Sequence, residues 1–472
     1  RKDLRYSIFP SRPFTEDVPS ILYLLVQEAR NGSKNNKDKS LFTFVYSFDS
    51  ACKGTTDSFF RETFYQYLNL VSLFSLIILI NIWRRLFFSF SLSNFAAMKT
   101  STYAPFAKPL YVMVKPVGAV CNLACDYCYY LEKANLYKDN PKHVMSDELL
   151  EKFIDEYINS QTMPQVLFTW HGGETLMRPL SFYKKAMELQ KKYARGRTID
   201  NCIQTNGTML TDEWCRFLHD NNWLVGVSID GPQEFHDEYR KNKMGKPSFV
   251  KVMQGINLLK KHNVEWNAMA VVNDFNADYP LDFYHFFKEI DCHYIQFAPI
   301  VERILPHQDG RHLASLAEDK EGKLADFSVT PEQWGNFLCT LFDEWVKEDV
   351  GNYYIQIFDS TLANWMGEQP GICTMAKTCG HAGVMEFNGD VYSCDHFVFP
   401  EYKLGNIYNQ TLVEMMHSER QHHFGNMKYQ SLPTQCKECE FLFACNGECP
   451  KNRFSRTSEG EPGLNYLRSE EH

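Results

Sequence analysis

The sequence predicts an α/β chain in which six consecutive strand–helix units build a parallel sheet and a cysteine-rich module follows. Three observations carry this reading. From residue 98 onward, short apolar runs alternate with amphipathic helical patterns, as parallel strands with crossover helices require. Six units are too few for a closed eight-unit barrel. Ten of the 15 cysteines fall in three clusters, which favours metal or iron–sulfur ligation over scattered disulfides.

The first strand reads as Leu110–Lys115 and leads into Cys121, Cys125 and Cys128. Further strands read as Val166–Trp170, Asn201–Thr205, Leu224–Ser228, Trp266–Val272 and Tyr294–Pro299. Helical patterns lie between them at Ser146–Ser160, Ser181–Ala194, Thr211–Asp220, Ser248–His262 and Pro280–Ile290. Ser146 before Asp147 and Glu148, and Thr211 before Asp212 and Glu213, supply N-caps with acidic first turns. Ligands in such folds sit at the C-terminal ends of the strands, and the polar motifs fall there. This first domain covers 98–330. Residues 331–370 connect it, as helix, short strand and helix, to a second module at 371–472. In that module Gly383–Cys394 reads as a hairpin turning at Asn388-Gly389, and Thr411–Ser418 as a short helix.

The chain has 472 residues, enough for two or three domains. Its net charge is −9, and no basic cluster resembles a nucleic-acid footprint. Cys202, Cys215, Cys292 and Cys339 stand alone and read as buried free thiols. Residues 1–97 differ from the rest: all 16 methionines lie beyond them. Within them, Thr63–Trp83 is uncharged, ends at Arg84-Arg85, and is long enough to span a bilayer. It is either a membrane anchor or part of a non-native leader. The second reading is preferred; it makes Met98 the start of a cytoplasmic enzyme.

The loop Cys121-Asn-Leu-Ala-Cys125-Asp-Tyr-Cys128 can hold three corners of an iron–sulfur cube and leave one iron open for chemistry. A zinc knuckle or an incomplete disulfide framework is the alternative. The second strand ends in His171-Gly172-Gly173-Glu174, where a Gly-Gly pair permits close backbone approach and Glu174 can meet a cation. The third ends in Asn206-Gly207. The fourth ends in Ser228-Ile-Asp230-Gly231-Pro232, with Arg240 beyond. In the second module, Cys373, Cys379, Cys394, Cys436, Cys439, Cys445 and Cys449 carry iron–sulfur or, alternatively, zinc spacing.

The cysteine triplet resembles the signature of the radical S-adenosylmethionine (SAM) superfamily, whose open partial (β/α)6 barrel six units suit. The resemblance implies SAM chelated at the open iron, with Gly172, Gly173 and Glu174 at its amino group. Ser228 and Arg240 become polar contacts to SAM, and Tyr127 stands beside the adenine. The C-terminal cysteines are similar to the SPASM domain, which implies two auxiliary four-iron clusters. Cys373, Cys379, Cys394 and Cys449 are the implied ligands of the first; Cys436, Cys439 and Cys445 of the second. The run Leu464-Asn-Tyr-Leu467 is followed by Arg468 where the family has its last cysteine, so the second cluster is expected to be incomplete.

From Met98 to Tyr466 the chain resembles the anaerobic sulfatase-maturating enzymes, on Pro116–Cys121, Cys128-Tyr-Tyr130, Leu224–Pro232, Tyr392-Ser-Cys-Asp-His396 and Leu404-Gly-Asn-Ile407. These oxidise one Cys or Ser of a sulfatase to formylglycine. The resemblance implies hydrogen abstraction from Cβ, with Asp395 as the base and the second electron passed to the auxiliary clusters. It places Tyr130 and His171 at the substrate. The simpler readings are a hairpin-end aspartate for Asp395 and a strand-end polar residue for His171. Expected partners are an unfolded or nascent sulfatase and a flavodoxin- or ferredoxin-type reductant, with the enzyme a monomer. Two alternatives share the cysteines: a SPASM peptide maturase forming thioether or carbon–carbon crosslinks, and a metal-stabilised scaffold or electron carrier.

Overall fold

The computed structural model describes residues 110–140, 143–305, 312–313 and 322–468. All of them belong to one compact unit. The leader and its 63–83 stretch lie outside the described residues, and among those described no helix is long and apolar enough to cross a membrane.

Six strands occur where the apolar runs predict them: β1 Tyr111–Lys115, β2 Gln165–Trp170, β3 Thr198–Thr205, β4 Leu224–Ser228, β5 Trp266–Val272 and β6 Tyr294–Pro299. Each pairs in parallel with the next. The crossover helices are α1 Asp147–Asn159, α2 Leu180–Tyr193, α3 Asp212–Asp220, α4 Gln233–Tyr239, α5 Phe249–Lys261 and α6 Pro280–Glu289. Ser146 accepts Leu149 N–H at 3.1 Å and Thr211 accepts Trp214 N–H at 3.3 Å, so both caps form as expected. The short α4 was not expected; it starts at the turn after Pro232, where that residue's fixed φ suits a helix entry.

Beyond β6 come α7 Pro331–Glu348, the two-residue β7 Tyr354–Ile355 and α8 Gln356–Trp365. Cys202, Cys215 and Cys292 are buried free thiols. Cys339 is not: it lies on a partly exposed face of α7 and is disulfide-bonded.

The C-terminal hairpin is β8 Ala382–Glu386 and β9 Asp390–Tyr392, followed by β10 Lys403–Asn406. Its turn closes through Gly389 N–H to Glu386 O at 2.9 Å, with Gly389 at φ +88°. Asn388 keeps a negative φ, so the loop is longer than a two-residue Asn-Gly turn. The hairpin does not stand apart. β8 pairs in parallel with β1, Lys115 opposite Glu386. One ten-stranded sheet therefore runs β7-β6-β5-β4-β3-β2-β1-β8-β9-β10, and the cysteine-rich hairpin extends the edge that carries the first cysteine loop.

Candidate active site and thiol clusters

The loop after β1 is held from two sides. Ala124 N–H reaches Lys241 O at 2.8 Å and Asp126 N–H reaches Tyr239 O at 2.9 Å, tying it to the end of α4. On the other side, Asn206, just past β3, donates to Asn122 at 2.8 Å and to Cys121 Sγ at 3.7 Å. The three thiols stand within electrostatic reach of one another, and burial pushes Cys121 up to about 12.

The Gly-Gly-Glu segment is bound to the same loop through backbone. Gly173 N–H donates to Gly118 O at 2.7 Å and Glu174 N–H to Val120 O at 2.9 Å. A Cβ on Gly173 would collide with the Val120 carbonyl. Glu174 is fully buried. Its carboxylate takes Leu176 N–H at 2.9 Å, Thr205 Oγ1–H at 2.7 Å and Asn206 N–H at 2.7 Å. Burial raises its pKa against these donors. The glutamate thus fastens the end of β2 to the end of β3.

Arg240 is also engaged. Its Nε and Nη2 meet the two oxygens of buried Asp230 at 2.8 and 3.1 Å, and Asp230 also accepts Tyr127 O–H and Val271 N–H. Tyr127 sits in an apolar patch with Ile300, Ala325 and Phe327, against which Cys125 packs. Ser228 is half-buried and accepts Gln204 Nε2–H at 3.0 Å. These residues, named from separate strands, converge beside the cysteine loop.

Asp395 is buried and forms an ion pair with fully buried Lys115. It accepts Tyr129 O–H at 2.5 Å. Burial works against its charge, but Lys115, His171 and His396 outweigh that and hold the carboxyl well below the usual range. Tyr129 follows Cys128 and Asp395 follows Cys394, so one hydrogen bond links the first cysteine loop to the C-terminal thiols. His171 accepts Gly172 N–H at Nδ1, 2.8 Å away. Burial and Lys115 lower it to about 4, leaving it neutral at pH 7. Tyr130 is buried beneath Lys115, whose ammonium lies 3.2 Å from the ring centre, and its hydroxyl donates to Glu386.

The C-terminal thiols form two groups. Cys373, Cys379, Cys394 and Cys449 are electrostatic neighbours. Buried Lys428, held by Cys373 O at 2.9 Å and Thr374 O at 2.6 Å, adds positive charge beside them. Cys436, Cys439 and Cys445 form the other group; the cations Arg453 and Arg468 stand next to it, Arg468 paired with Glu448 at 3.4 Å. All ten thiols are free. Among the described residues no three Cys, His, Asp or Glu side chains converge on one metal ion. Thiolates are the ligands that iron–sulfur cubes take: Cys121, Cys125 and Cys128 could supply three corners, the four-thiol group four, and Cys436, Cys439 and Cys445 three.

Sequence reasoning missed Lys115, Glu386, Tyr129, Asn206 and Lys428. For Lys115 and Glu386 a signal existed: each is the lone charge closing an apolar strand in the buried sheet. Lys428 carries no such mark on its helix, Glu419–Gln430.

The profile of the radical SAM superfamily matches residues 116–287, and that of the SPASM iron–sulfur cluster-binding domain matches 379–440. The chain is 92% identical over 370 residues to the serine-type anaerobic sulfatase-maturating enzyme of Bacteroides thetaiotaomicron, covering 78% of this chain and 89% of that one. It is 33% identical over 361 residues to the cysteine-type enzyme of Clostridium perfringens, covering 76% and 93%. The solved structure of native anSMEcpe with bound AdoMet and Kp18Cys peptide superposes with a TM-score of 0.67 at 31% identity, covering 76% of this chain and 94% of that one.

Proposed function

The chain belongs to the anaerobic sulfatase-maturating enzymes of the radical SAM superfamily, and from that premise we propose how its own residues divide the work. It is an oxidoreductase that converts an active-site Cys or Ser of a sulfatase to formylglycine, and it uses SAM and iron–sulfur clusters. Its substrate is a peptide segment. Serine is our proposed target, because the 92% identical relative is serine-type.

Cys121, Cys125 and Cys128 hold the cluster with the open iron. Cys373, Cys379, Cys394 and Cys449 hold a first auxiliary cluster. Cys436, Cys439 and Cys445 would hold a second, with Arg468 beside two of these thiols. When bound, these groups with SAM supply the 5′-deoxyadenosyl radical that removes hydrogen from Cβ, and take up the second electron. Gly172 and Gly173 offer backbone to the SAM amino group, with Glu174 and Asn206 fixing that backbone. Arg240, aligned by Asp230, and Ser228 would supply polar contacts to SAM, and Tyr127 would border the adenine. Tyr130 and His171 line the peptide pocket. His171 is neutral, so it can orient the Ser hydroxyl without repelling Lys115.

Asp395 takes the proton from the substrate Oγ as the C–O bond gains double-bond character. The carrying observation is its place: the hydrogen bond from Tyr129 sets this carboxylate between the two cysteine groups, where a substrate carbon can face both. The reductant is a flavodoxin- or ferredoxin-type protein, and the enzyme acts as a monomer. The test is an anaerobic reaction of the reconstituted enzyme with sulfatase-derived Ser and Cys peptides, read by mass. Conversion of Ser to the aldehyde, with loss of two hydrogens and one 5′-deoxyadenosine formed per turnover, is expected. A crosslinked product without aldehyde would favour the peptide-maturase reading instead.

A further inference from the structure

The loop after α4, residues 241–247, has no part in the chemistry described above, yet it is built with care. Asn242 N–H donates to Lys246 O at 2.9 Å, and Asn242 Oδ1 accepts Met244 N–H at 2.9 Å and Lys246 N–H at 3.0 Å. Lys241 and Pro247 bridge at its base. Lys243, Met244 and Lys246 are exposed at its tip, Met244 at 75%. The first turn of α5 adds Val250 at 59% and exposed Lys251. Among the described residues none of these three lysines forms an ion pair. The sequence has no Asp or Glu between Glu238 and Glu265. In a chain of net charge −9, this is a positive surface with an apolar centre.

The base of this loop is bonded to the first cysteine loop. Ala124 N–H reaches Lys241 O at 2.8 Å, Asp126 N–H reaches Tyr239 O at 2.9 Å, and Leu123 bridges Asn242. Cys125 sits between the two donors. Asp126 is the one acid of the cysteine loop, and Lys241 pairs with it at 3.6 Å. We propose that the 241–247 loop, with Val250 and Lys251, is the docking surface for the electron donor, an acidic carrier protein of the flavodoxin or ferredoxin class. This rests on Cys121, Cys125 and Cys128 holding the cluster with the open iron. In each encounter one electron passes from the reduced carrier to that cluster, and no atom is transferred. The two backbone hydrogen bonds beside Cys125 give the electron a short bonded path from the loop. Unpaired lysines steer an acidic partner and speed its approach. Met244 and Val250 supply the apolar contact, methionine being enriched at such interfaces. A patch this small suits a transient redox encounter, which buries less than about 1,200 Å².

The experiment uses the reconstituted full chain, two acidic carriers (a flavodoxin and a ferredoxin) and two readouts. Binding of each oxidised carrier is measured by calorimetry. Formation of 5′-deoxyadenosine is driven either by the reduced carrier or by dithionite. Lys243→Glu combined with Lys246→Glu should weaken binding and lower the carrier-driven kcat/KM about tenfold, the low end of what electrostatic steering contributes. Its dithionite-driven rate and iron content should match wild type. Salt should weaken carrier binding to wild type and much less to the double variant. Met244→Ser should weaken binding with the salt dependence kept. Lys184→Glu combined with Lys191→Glu, the same charge change on α2, should leave both readouts unaltered. The corresponding Lys→Gln pair at 243 and 246 carries the test if the Glu pair does not assemble. Equal binding by wild type and the double variant, an equal loss in the α2 control, or binding of neither carrier would overturn the proposal. So would a wild type that binds an RNA oligomer through this loop in preference to both carriers. If dithionite also yields no 5′-deoxyadenosine, the reading of the cysteine triplet fails, while the binding comparison still decides the docking surface.

Discussion

At the scale of single residues the site is a problem of charge. Asp395 must stay ionised in a place with little water, and Lys115 makes that so. The ion pair with Lys115 and the hydrogen bond from Tyr129 at 2.5 Å both favour the charged carboxylate. Asp395→Asn is nearly isosteric, but its amide cannot accept a proton at working pH and leaves Lys115 with a buried, uncompensated charge. We expect the variant to keep its iron and SAM while aldehyde formation falls about 100-fold or more, the usual range for a lost general base. Mass analysis of the peptide against 5′-deoxyadenosine yield separates the two effects. Near-normal turnover would place the base elsewhere, and lost iron would make Asp395 a structural residue. Asp395 itself was visible in the sequence beside a cysteine of a recognisable pattern. Lys115 and Glu386 were less so, because their meaning depends on which strand lies beside which. The pairing of β1 with β8 spans residues more than 260 apart in the chain, and no local pattern encodes it.

At the scale of elements the strands of the first six units and all their helices but α4 were legible from local periods, and the caps at Ser146 and Thr211 from local sequence. The loops were legible in composition and not in purpose. Gly172-Gly173 suggests room for a ligand; the structure shows that Gly173 is also needed by the protein's own backbone. Its N–H bonds Gly118 O at 2.7 Å, and any Cβ there meets the Val120 carbonyl. Glu174 likewise looks like a ligand contact in sequence, yet its oxygens are occupied by the ends of β2 and β3. Gly173→Ala should therefore push the Gly-Gly-Glu segment away from the cysteine loop. Overpacking of this kind typically costs about 1–3 kcal/mol. Because both loops border the expected SAM position, the loss should appear as weaker SAM binding by equilibrium dialysis as well as a lower unfolding temperature. A drop in stability with unchanged SAM affinity would mean that the segment serves the fold alone.

At the scale of the whole molecule, one sheet connects two cysteine-rich regions that the sequence presents as separate modules. The hairpin carrying Cys394 and Asp395 is hydrogen-bonded to the strand that launches Cys121, Cys125 and Cys128, so Asp395 is held against the first loop by backbone rather than by docking of domains. The far group has no such closure. Cys436, Cys439 and Cys445 lie together with Arg468 beside them, and a guanidinium cannot ligate iron because it stays protonated. A cube held at three corners exchanges its fourth ligand and loses iron more readily, and cluster binding is coupled to folding. Three full cubes would carry about 12 irons per chain; the chain as it stands should reconstitute to fewer. Arg468→Cys should supply the missing corner, since Arg468 already neighbours Cys439 and Cys445. It also releases Glu448 from its ion pair at 3.4 Å, an exposed contact of little worth. We expect iron content and unfolding temperature to rise together in the variant, with the gain abolished by adding Cys439→Ala. Full iron in the unaltered chain would show that another group already completes the site, and a variant with more iron but no added stability would uncouple this cluster from the fold.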